Sequence, residues 1–342
     1  MTDPTTLSRR AMLVMPLALA ACKFSRDVLE ITGLTMGTSY KVVAANAPRE
    51  LDETALRAAV ETALAEVNGQ MSNWDDGSEI SRFNGKMDTD ALEVSAPLAA
   101  VMQAAETVHL ASDGRFDTTM GPLIELWGFG ANGTLSKPGE AALEAARARA
   151  GHSNTLTVGT SSLQKRQPDA QVYLAAIGKG YGADHAARAV ESLGVTDYMV
   201  EIGGDLYTKG RNPDGMPWQI GIEKPAALSG GILDVVGVSG MGLASSGDYR
   251  NYYEEDGQRY SHIIDPATGR PITHKTASVT VLAENAMLAD AWATAMLTLG
   301  RERGLEIAKT QNLAVMFIDR DGANGDLRFK PSQSPAFSEL TA

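Results

Sequence analysis

The chain has 342 residues and a formal net charge of −12, with the composition of a soluble globular protein. This length allows one large domain or two ordinary ones. The negative charge argues against a nucleic-acid binder, which needs a basic face to meet phosphates. It leaves a nucleotide ligand open, because a divalent cation and backbone amides can offset phosphate charge locally.

The N-terminus has the features of a secretory signal. Arg9 and Arg10 precede an uncharged apolar stretch over 11–21, which is too short to span a bilayer. The paired arginines favour the twin-arginine route, although they also fit a generic signal. Cys22, the only cysteine, ends a lipobox-like sequence and is expected to carry a lipid after residues 1–21 are removed. We therefore expect a protein anchored to the periplasmic side of a bacterial membrane, most simply the inner one.

The hydrophobic pattern predicts alternating strands and helices in one domain over 22–342. In the first half we predict a strand or hairpin over 27–45, helices over 51–69, 95–112, 138–150 and 177–194, and a strand over 198–202. In the second half we predict strands over 218–223, 232–239, 260–264, 278–283 and 313–319, and helices over 286–299 and 303–310. Several consecutive strands look hairpin-linked, so we expect an α/β (α+β) domain with a largely antiparallel sheet packed by helices.

Three segments of the first half have polar or glycine-rich patterns that fit a ligand site. Met36 precedes a glycine that we interpret as a strand glycine at a bulge. Trp74 follows a helix and could be a loop anchor or a flat surface for a planar ligand. Asp117 lies in a glycine-bracketed aromatic segment over 114–130, where it could cap a helix or belong to a ligand-facing wall.

Two further glycine-containing segments lie at the ends of predicted elements. Gly178 and Lys179 open a predicted helix, where oriented amides and a point charge can hold an anion; the alternative is a turn with a solvated lysine. Gly203 and Gly204 follow Glu201 at the end of a strand, where a ligand can lie against the main chain.

Asp290 is the only charged residue in the apolar stretch 286–299. A buried carboxylate needs a cation, a partner or a proton. Thr294 lies one turn further on the same face, and two hard oxygens suit Mg²⁺. The alternative is a carboxylate hydrogen-bonded to the next strand, with Thr294 bonding back to the carbonyl of Asp290.

His262 follows a predicted strand and precedes a strong turn sequence. A lone histidine at such a place is more often structural than catalytic. Beside a metal site, however, it is the natural acceptor of a hydroxyl proton.

In chain order these segments resemble the ApbE family, the FAD:protein FMN transferases. The matching segments are Met36-Gly37-Thr38, residues 114–130, Lys179-Gly180, Ile202-Gly203-Gly204-Asp205, Ser246-Gly247-Asp248-Tyr249, Ser261-His262-Ile263-Ile264-Asp265-Pro266 and residues 290–294. The resemblance implies a T-fold-like enzyme, often a lipoprotein outside the cytoplasm, that binds FAD and Mg²⁺. Such enzymes move FMN from FAD onto a threonine or serine hydroxyl of an acceptor, typically a flavin-carrying subunit of a respiratory or electron-transfer complex, and release AMP.

The resemblance also implies residue roles. Asp290, Thr294 and the carbonyl of Gly178 would hold Mg²⁺, and His262, aided by Asp290, would take the proton of the acceptor hydroxyl. The implied FAD contacts are Met36, Trp74, Asp117, Lys179, Glu201, Gly203, Gly204, Ser246, Gly247, Asp248 and His262. Two residues depart from the family pattern, since Gly178 replaces the usual alanine and Glu201 replaces a common asparagine.

Two other functions compete with transfer. In an FAD pyrophosphatase, water would replace the acceptor hydroxyl and the products would be free FMN and AMP. In a non-catalytic FAD-binding lipoprotein, flavin would be stored or delivered unchanged.

Overall fold

The computed structural model describes residues 28–130, 133–226, 231–256, 258–321 and 328–341. The predicted signal over 1–21 and Cys22 lie outside these residues. Within the described ranges no helix is both long and apolar enough to cross a bilayer.

The described chain alternates strands with helices, as the hydrophobic pattern predicts. The strands are β1 Leu29–Thr35, β2 Thr38–Ala45, β3 Leu92–Glu93, β4 Leu156–Val158, β5 Ser162–Lys165, β6 Asp197–Ile202, β7 Asp205–Lys209, β8 Trp218–Glu223, β9 Ile232–Val238, β10 Met241–Gly247, β11 Tyr252–Glu255, β12 Gln258–Ser261, β13 Ile264–Asp265, β14 Arg270–Pro271, β15 Thr276–Ala283, β16 Ala314–Asp321 and β17 Arg328–Gln333. The helices are α1 Glu53–Met71, α2 Glu79–Gly85, α3 Ala96–Ala111, α4 Gly121–Leu126, α5 Glu140–Arg147, α6 His152–Thr155, α7 Gly178–Ser192, α8 Ala286–Gln311 and α9 Pro335–Leu340.

Within the described residues, eight strands form a central sheet in the order β1-β2-β6-β7-β10-β15-β16-β17. Each neighbouring pair in it is antiparallel. The predicted antiparallel α/β (α+β) architecture is therefore confirmed.

The sheet is buried on both faces. Along β16, Val315 and Phe317 join the core beneath α3 and α8, whereas Met316 and Ile318 join the core beneath the β8–β9 hairpin and α9. Successive residues of a strand point to opposite faces, so this alternation produces a layered domain. Helices α1 and α7 cover the β1, β2 and β6 end of the first face.

Side-chain caps begin several of the helices that the sequence predicts. Asp52 accepts from the amide of Ala55 at the start of α1, and Asn285 accepts from the amide of Leu288 at the start of α8. The two helices predicted over 286–299 and 303–310 are one element, α8, interrupted by a left-handed Gly300 with φ 72°.

Two local predictions were wrong. Met36 and Gly37 are not at a bulge; they form the turn between β1 and β2, with φ values of 49° and 73°. Two left-handed residues are typical of a tight hairpin turn. The strand predicted over 260–264 is interrupted, because β12 ends at Ser261 and β13 begins at Ile264.

Helices α7 and α8 approach each other closely at Gly180. A Cβ at this position would lie 2.2 Å from the carbonyl oxygen of Ala286 and 2.8 Å from the Cβ of Asp290. Neither neighbour is the end of a flexible side chain. The first turns of α7 and α8 can therefore meet only because residue 180 has no side chain.

We expect Gly180→Ala to destabilise the protein by ~1–3 kcal/mol or more, because the added methyl forces α7 and α8 apart. Gly69→Ala is the matched control. Gly69 lies in α1 with open space around it, so alanine should stabilise the protein by ~0.5–1 kcal/mol. Urea unfolding of both variants measures these changes, and a Gly180→Ala midpoint equal to wild type would contradict the close packing.

Candidate active site

The candidate site is centred on Lys179 in the first turn of α7. Its ammonium group pairs with the carboxylate of Asp205, the first residue of β7, and lies 3.9 Å from Oδ1 of Asp290 on α8. The two aspartates are only 2% and 3% exposed, respectively. Two buried carboxylates thus share one lysine.

The cluster has perturbed acid–base properties. Burial raises the pKa of Asp290, the neighbouring charge of Asp205 raises it further, and Lys179 opposes both effects. Burial also raises the pKa of Asp205. Burial alone would lower the pKa of Lys179, but the two carboxylates raise it on balance, so this lysine stays charged.

The hydroxyl of Thr294 lies one helical turn beyond Asp290. Its Oγ1 is 3.2 Å from Oγ of Ser246 on β10. Oδ2 of Asp290 accepts the backbone N–H of Gly180 at 3.1 Å. The structure therefore brings α7 and α8 together at Asp290, and α8 and β10 together at Thr294.

These residues fit a hard divalent cation. Among the described residues, no three Asp, Glu, His or Cys side chains form a metal-binding group, but the predicted set needs only one carboxylate, with a hydroxyl and a carbonyl. Oδ1 of Asp290 is too far from Lys179 at 3.9 Å for a hydrogen bond. With both carboxylates ionised, their charge exceeds that of the lysine, which favours a further cation.

His262 lies on the loop after β12. Its ring Nδ1 is 3.0 Å from the carbonyl oxygen of Asn251. The ring of Phe129 meets it edge-on, with the two ring centroids 6.3 Å apart. Since a carbonyl only accepts, Nδ1 carries the proton and the lone pair is on Nε2. Burial lowers the pKa of His262, so the ring is neutral near pH 7 and can act as a base.

Asp248 is fixed by an ion pair. Both of its carboxylate oxygens pair with the guanidinium group of Arg320 on β16. The adjacent Gly247 ends β10, where a Cβ would lie 2.4 Å from the ring of Tyr249. The ion pair and the close packing hold the segment from Gly247 to Tyr249 in place at the end of β10.

A pocket of about 140 Å³ adjoins Lys179. Its lining includes the predicted FAD contacts Met36, Trp74 and Lys179 and the predicted metal ligand Gly178. Trp74 is 67% exposed, as expected of a flat surface at the rim rather than of a buried loop anchor.

The turn between β6 and β7 packs near this pocket. A Cβ at Gly203 would lie 2.8 Å from Cγ2 of Thr38, two residues after Met36. Glu201 accepts the amide of Gly204 at 3.1 Å and so stabilises the same turn.

Asp117 has local partners. One of its oxygens accepts the amide of Thr119 at 2.7 Å, and the other accepts the amide of His152 at 2.9 Å. These bonds correspond to the capping alternative for this residue.

Two aspartates of the site have roles that the sequence pattern did not predict. Asp205 pairs with Lys179, although the sequence pattern gives it no role beyond the end of a matching segment. Asp184, which bonds to the first turn of α8, was not singled out at all. Its available signal was a carboxylate among alanines, weaker than that of Asp290 because Arg188 and Glu191 lie in the same helix.

We expect Asp290→Asn to stabilise the metal-free protein at alkaline pH. The fold raises the pKa of Asp290 above its unfolded value of ~4, so the protonated carboxyl contributes stability below pH ~4. That stability is lost as the pH rises through the folded pKa. Thermal melting in EDTA should give a variant that melts ~2–4 °C above wild type at alkaline pH, with a smaller difference in acid.

The control is Asp76→Asn, which changes an exposed carboxylate and should leave melting unchanged. Equal melting of wild type and Asp290→Asn at every pH would contradict the buried-charge interpretation.

The model of the ApbE family matches residues 36–317. The FAD:protein FMN transferase of Vibrio cholerae is 40% identical over 303 residues, covering 88% of this chain and 90% of that protein. The FAD:protein FMN transferase of Haemophilus influenzae is 40% identical over 343 residues, covering 96% of each.

Solved structures show the same likeness. The flavin transferase ApbE from Vibrio cholerae superposes with a TM-score of 0.83 at 38% identity, covering 92% of this chain and 99% of that one. The apo flavinyl transferase ApbE from Pseudomonas stutzeri gives 0.83 at 36% identity, covering 92% and 96%.

Proposed function

Because the chain belongs to the ApbE family, we propose that it transfers FMN from FAD to a threonine or serine hydroxyl of an acceptor protein and releases AMP. The observation that carries the proposal is the buried Asp205–Lys179–Asp290 cluster beside the pocket lined by Met36 and Trp74. We also propose that the reaction depends on Mg²⁺. The acceptor would be a flavin-carrying subunit of a respiratory or electron-transfer complex.

The reaction exchanges the phosphoanhydride bond of FAD for a phosphate ester bond to the acceptor. The acceptor oxygen attacks the phosphorus on the FMN side of the FAD diphosphate, the bond from that phosphorus to the bridging oxygen breaks, and AMP leaves with that oxygen. Such a transfer requires positioning and charge neutralisation more than a covalent intermediate. Mg²⁺, held by Asp290, Thr294 and the carbonyl of Gly178, would neutralise diphosphate charge when bound.

The protein's own groups supply the remaining chemistry. Lys179 is a fixed cation at the N-terminus of α7, where amides and charge favour a phosphate. His262 is neutral with its lone pair on Nε2, so it can accept the hydroxyl proton. Met36 and Trp74 would contact the flavin ring in the pocket, while Gly203, Gly204 and the Ser246–Asp248 segment would form further walls for FAD.

The decisive experiment follows both products. The purified protein is incubated with FAD, Mg²⁺ and a candidate acceptor subunit, and acceptor mass and free nucleotides are measured. We expect the acceptor to gain one FMN group, with an equal amount of AMP, and EDTA to stop both. FMN and AMP without a mass gain would indicate a pyrophosphatase, and unchanged FAD would leave only binding.

His262→Gln tests the proposed base in the same assay. We expect transfer to fall by ~10²-fold or more with FAD binding retained, since a positioned base contributes rate rather than affinity. In wild type, transfer should decline only as acid protonates His262 below its ordinary pKa of ~6.5. His185→Gln is the control because His185 pairs with Glu66 on the outer side of α7. Equal transfer by both variants would remove His262 from the mechanism.

We propose that the enzyme is anchored by a lipid on Cys22 at the periplasmic side of the inner membrane. Cell fractionation should find wild type in the membrane and Cys22→Ser in the soluble periplasmic fraction. A wild-type protein that is equally soluble would contradict the anchor.

A further inference from the structure

A carboxylate from the second turn of each of α7 and α8 caps the first turn of the other helix. Asp184, on α7, accepts the backbone N–H groups of Ala286 at 2.8 Å and Met287 at 2.9 Å, the first two residues of α8. In the other direction, Asp290 on α8 accepts the N–H of Gly180 in the first turn of α7. Each helix therefore supplies a carboxylate to the unsatisfied amides of the other.

These bonds form two hydrogen-bonded contacts between α7 and α8, whose first two turns run antiparallel. Gly180 and Asp184 are one turn apart on α7, and Ala286 and Asp290 are one turn apart on α8. The Gly180–Asp290 contact lies in the candidate site, and the contact of Asp184 with the start of α8 lies one turn away from it. The bonds that Asp184 makes thus help to fix where α8, and with it Asp290, lies along α7.

A carboxylate is the side chain that suits this position. Asn285 already caps the amide of Leu288, which leaves the amides of residues 286 and 287 to be satisfied. Each N–H group bonds to its own oxygen of Asp184, whereas an asparagine would offer one oxygen and turn an NH₂ donor toward the second N–H. Asp184 is only 7% exposed, and burial raises its pKa to about 6 against the effect of the two amides. Its charge is held there at an energetic cost.

We infer that Asp184 is a positioning residue for the transfer reaction, an inference that rests on the proposed function. It holds α8 in the register that places Asp290 beside Gly180 and Lys179. A slip of one residue would move Asp290 by ~1.5 Å along the helix and rotate it by ~100°. Asp184 acts through Asp290 and makes no contact with the reacting atoms.

The test compares Asp184→Asn with Ser334→Ala. Ser334 is buried, caps α9 by accepting the amide of Phe337 at 3.3 Å, and also accepts the amide of Val315 at 3.0 Å. Helix α9 packs on the other face of the sheet, so Ser334→Ala removes a comparable cap far from Asp290. Thermal melting, transfer kinetics and calorimetric titration of Mg²⁺ in the presence of FAD are measured for both.

We expect both variants to melt below wild type. Asp184→Asn should also lower kcat and Mg²⁺ affinity by ~10–100-fold, as loss of a group that orients a metal ligand does, with little change in KM for FAD. Ser334→Ala should keep the kcat and Mg²⁺ affinity of wild type.

Equal kcat and equal Mg²⁺ affinity in the two variants would overturn the assignment. If neither Asp184→Asn nor Asp184→Ala folds, Asp184 is a folding residue and the assignment also fails. An inactive wild-type protein would refute the proposed function instead, and the Mg²⁺ titration would still decide whether Asp184 positions Asp290.

Discussion

Helices α7 and α8 begin in van der Waals contact, because Gly180 has no side chain to hold Ala286 and Asp290 away. That approach lets each helix use a carboxylate of the other as a cap. It also places Lys179, at the start of α7, beside a carboxylate from the middle of the apolar segment of α8. The location of the site follows from this packing, since a larger residue at position 180 would separate the charged groups along with the helices.

The same packing makes the cluster electrostatically costly. Asp184, Asp205 and Asp290 are buried, and burial raises the pKa of each. A core built for stability alone would contain apolar side chains here, because buried ion pairs rarely stabilise more than a well-packed apolar group. Retained charge of this kind is typical of a functional site, where a bound cation and phosphates complete the electrostatics.

The sequence predicted those parts of the structure that leave a local signal. The amphipathic pattern of α1, the apolar run at the start of α8 and the isolated charge of Asp290 are visible within a few helical turns. The partners of Lys179 and Asp184 are not, because they lie in β7 and at the start of α8, far along the chain. Strand β10 was also missed, since its glycine and serine residues give no apolar alternation even though both of its edges are paired. For Asp117 the sequence left a cap and a ligand contact both open, because a residue pattern alone does not separate these two roles.

The site combines groups from elements of different rigidity. Asp290 and Thr294 belong to a helix that packs along β10 and β15, whereas Trp74 and His262 lie on loops. A fixed helix suits groups that must hold a diphosphate, because small displacements there weaken every charge interaction at once. Loops suit groups that meet ligands entering from solvent. The proposed base and the proposed cation ligands therefore come from separate parts of the chain, and FAD and an acceptor bound between them would bring the hydroxyl to the base and the diphosphate to the cation ligands.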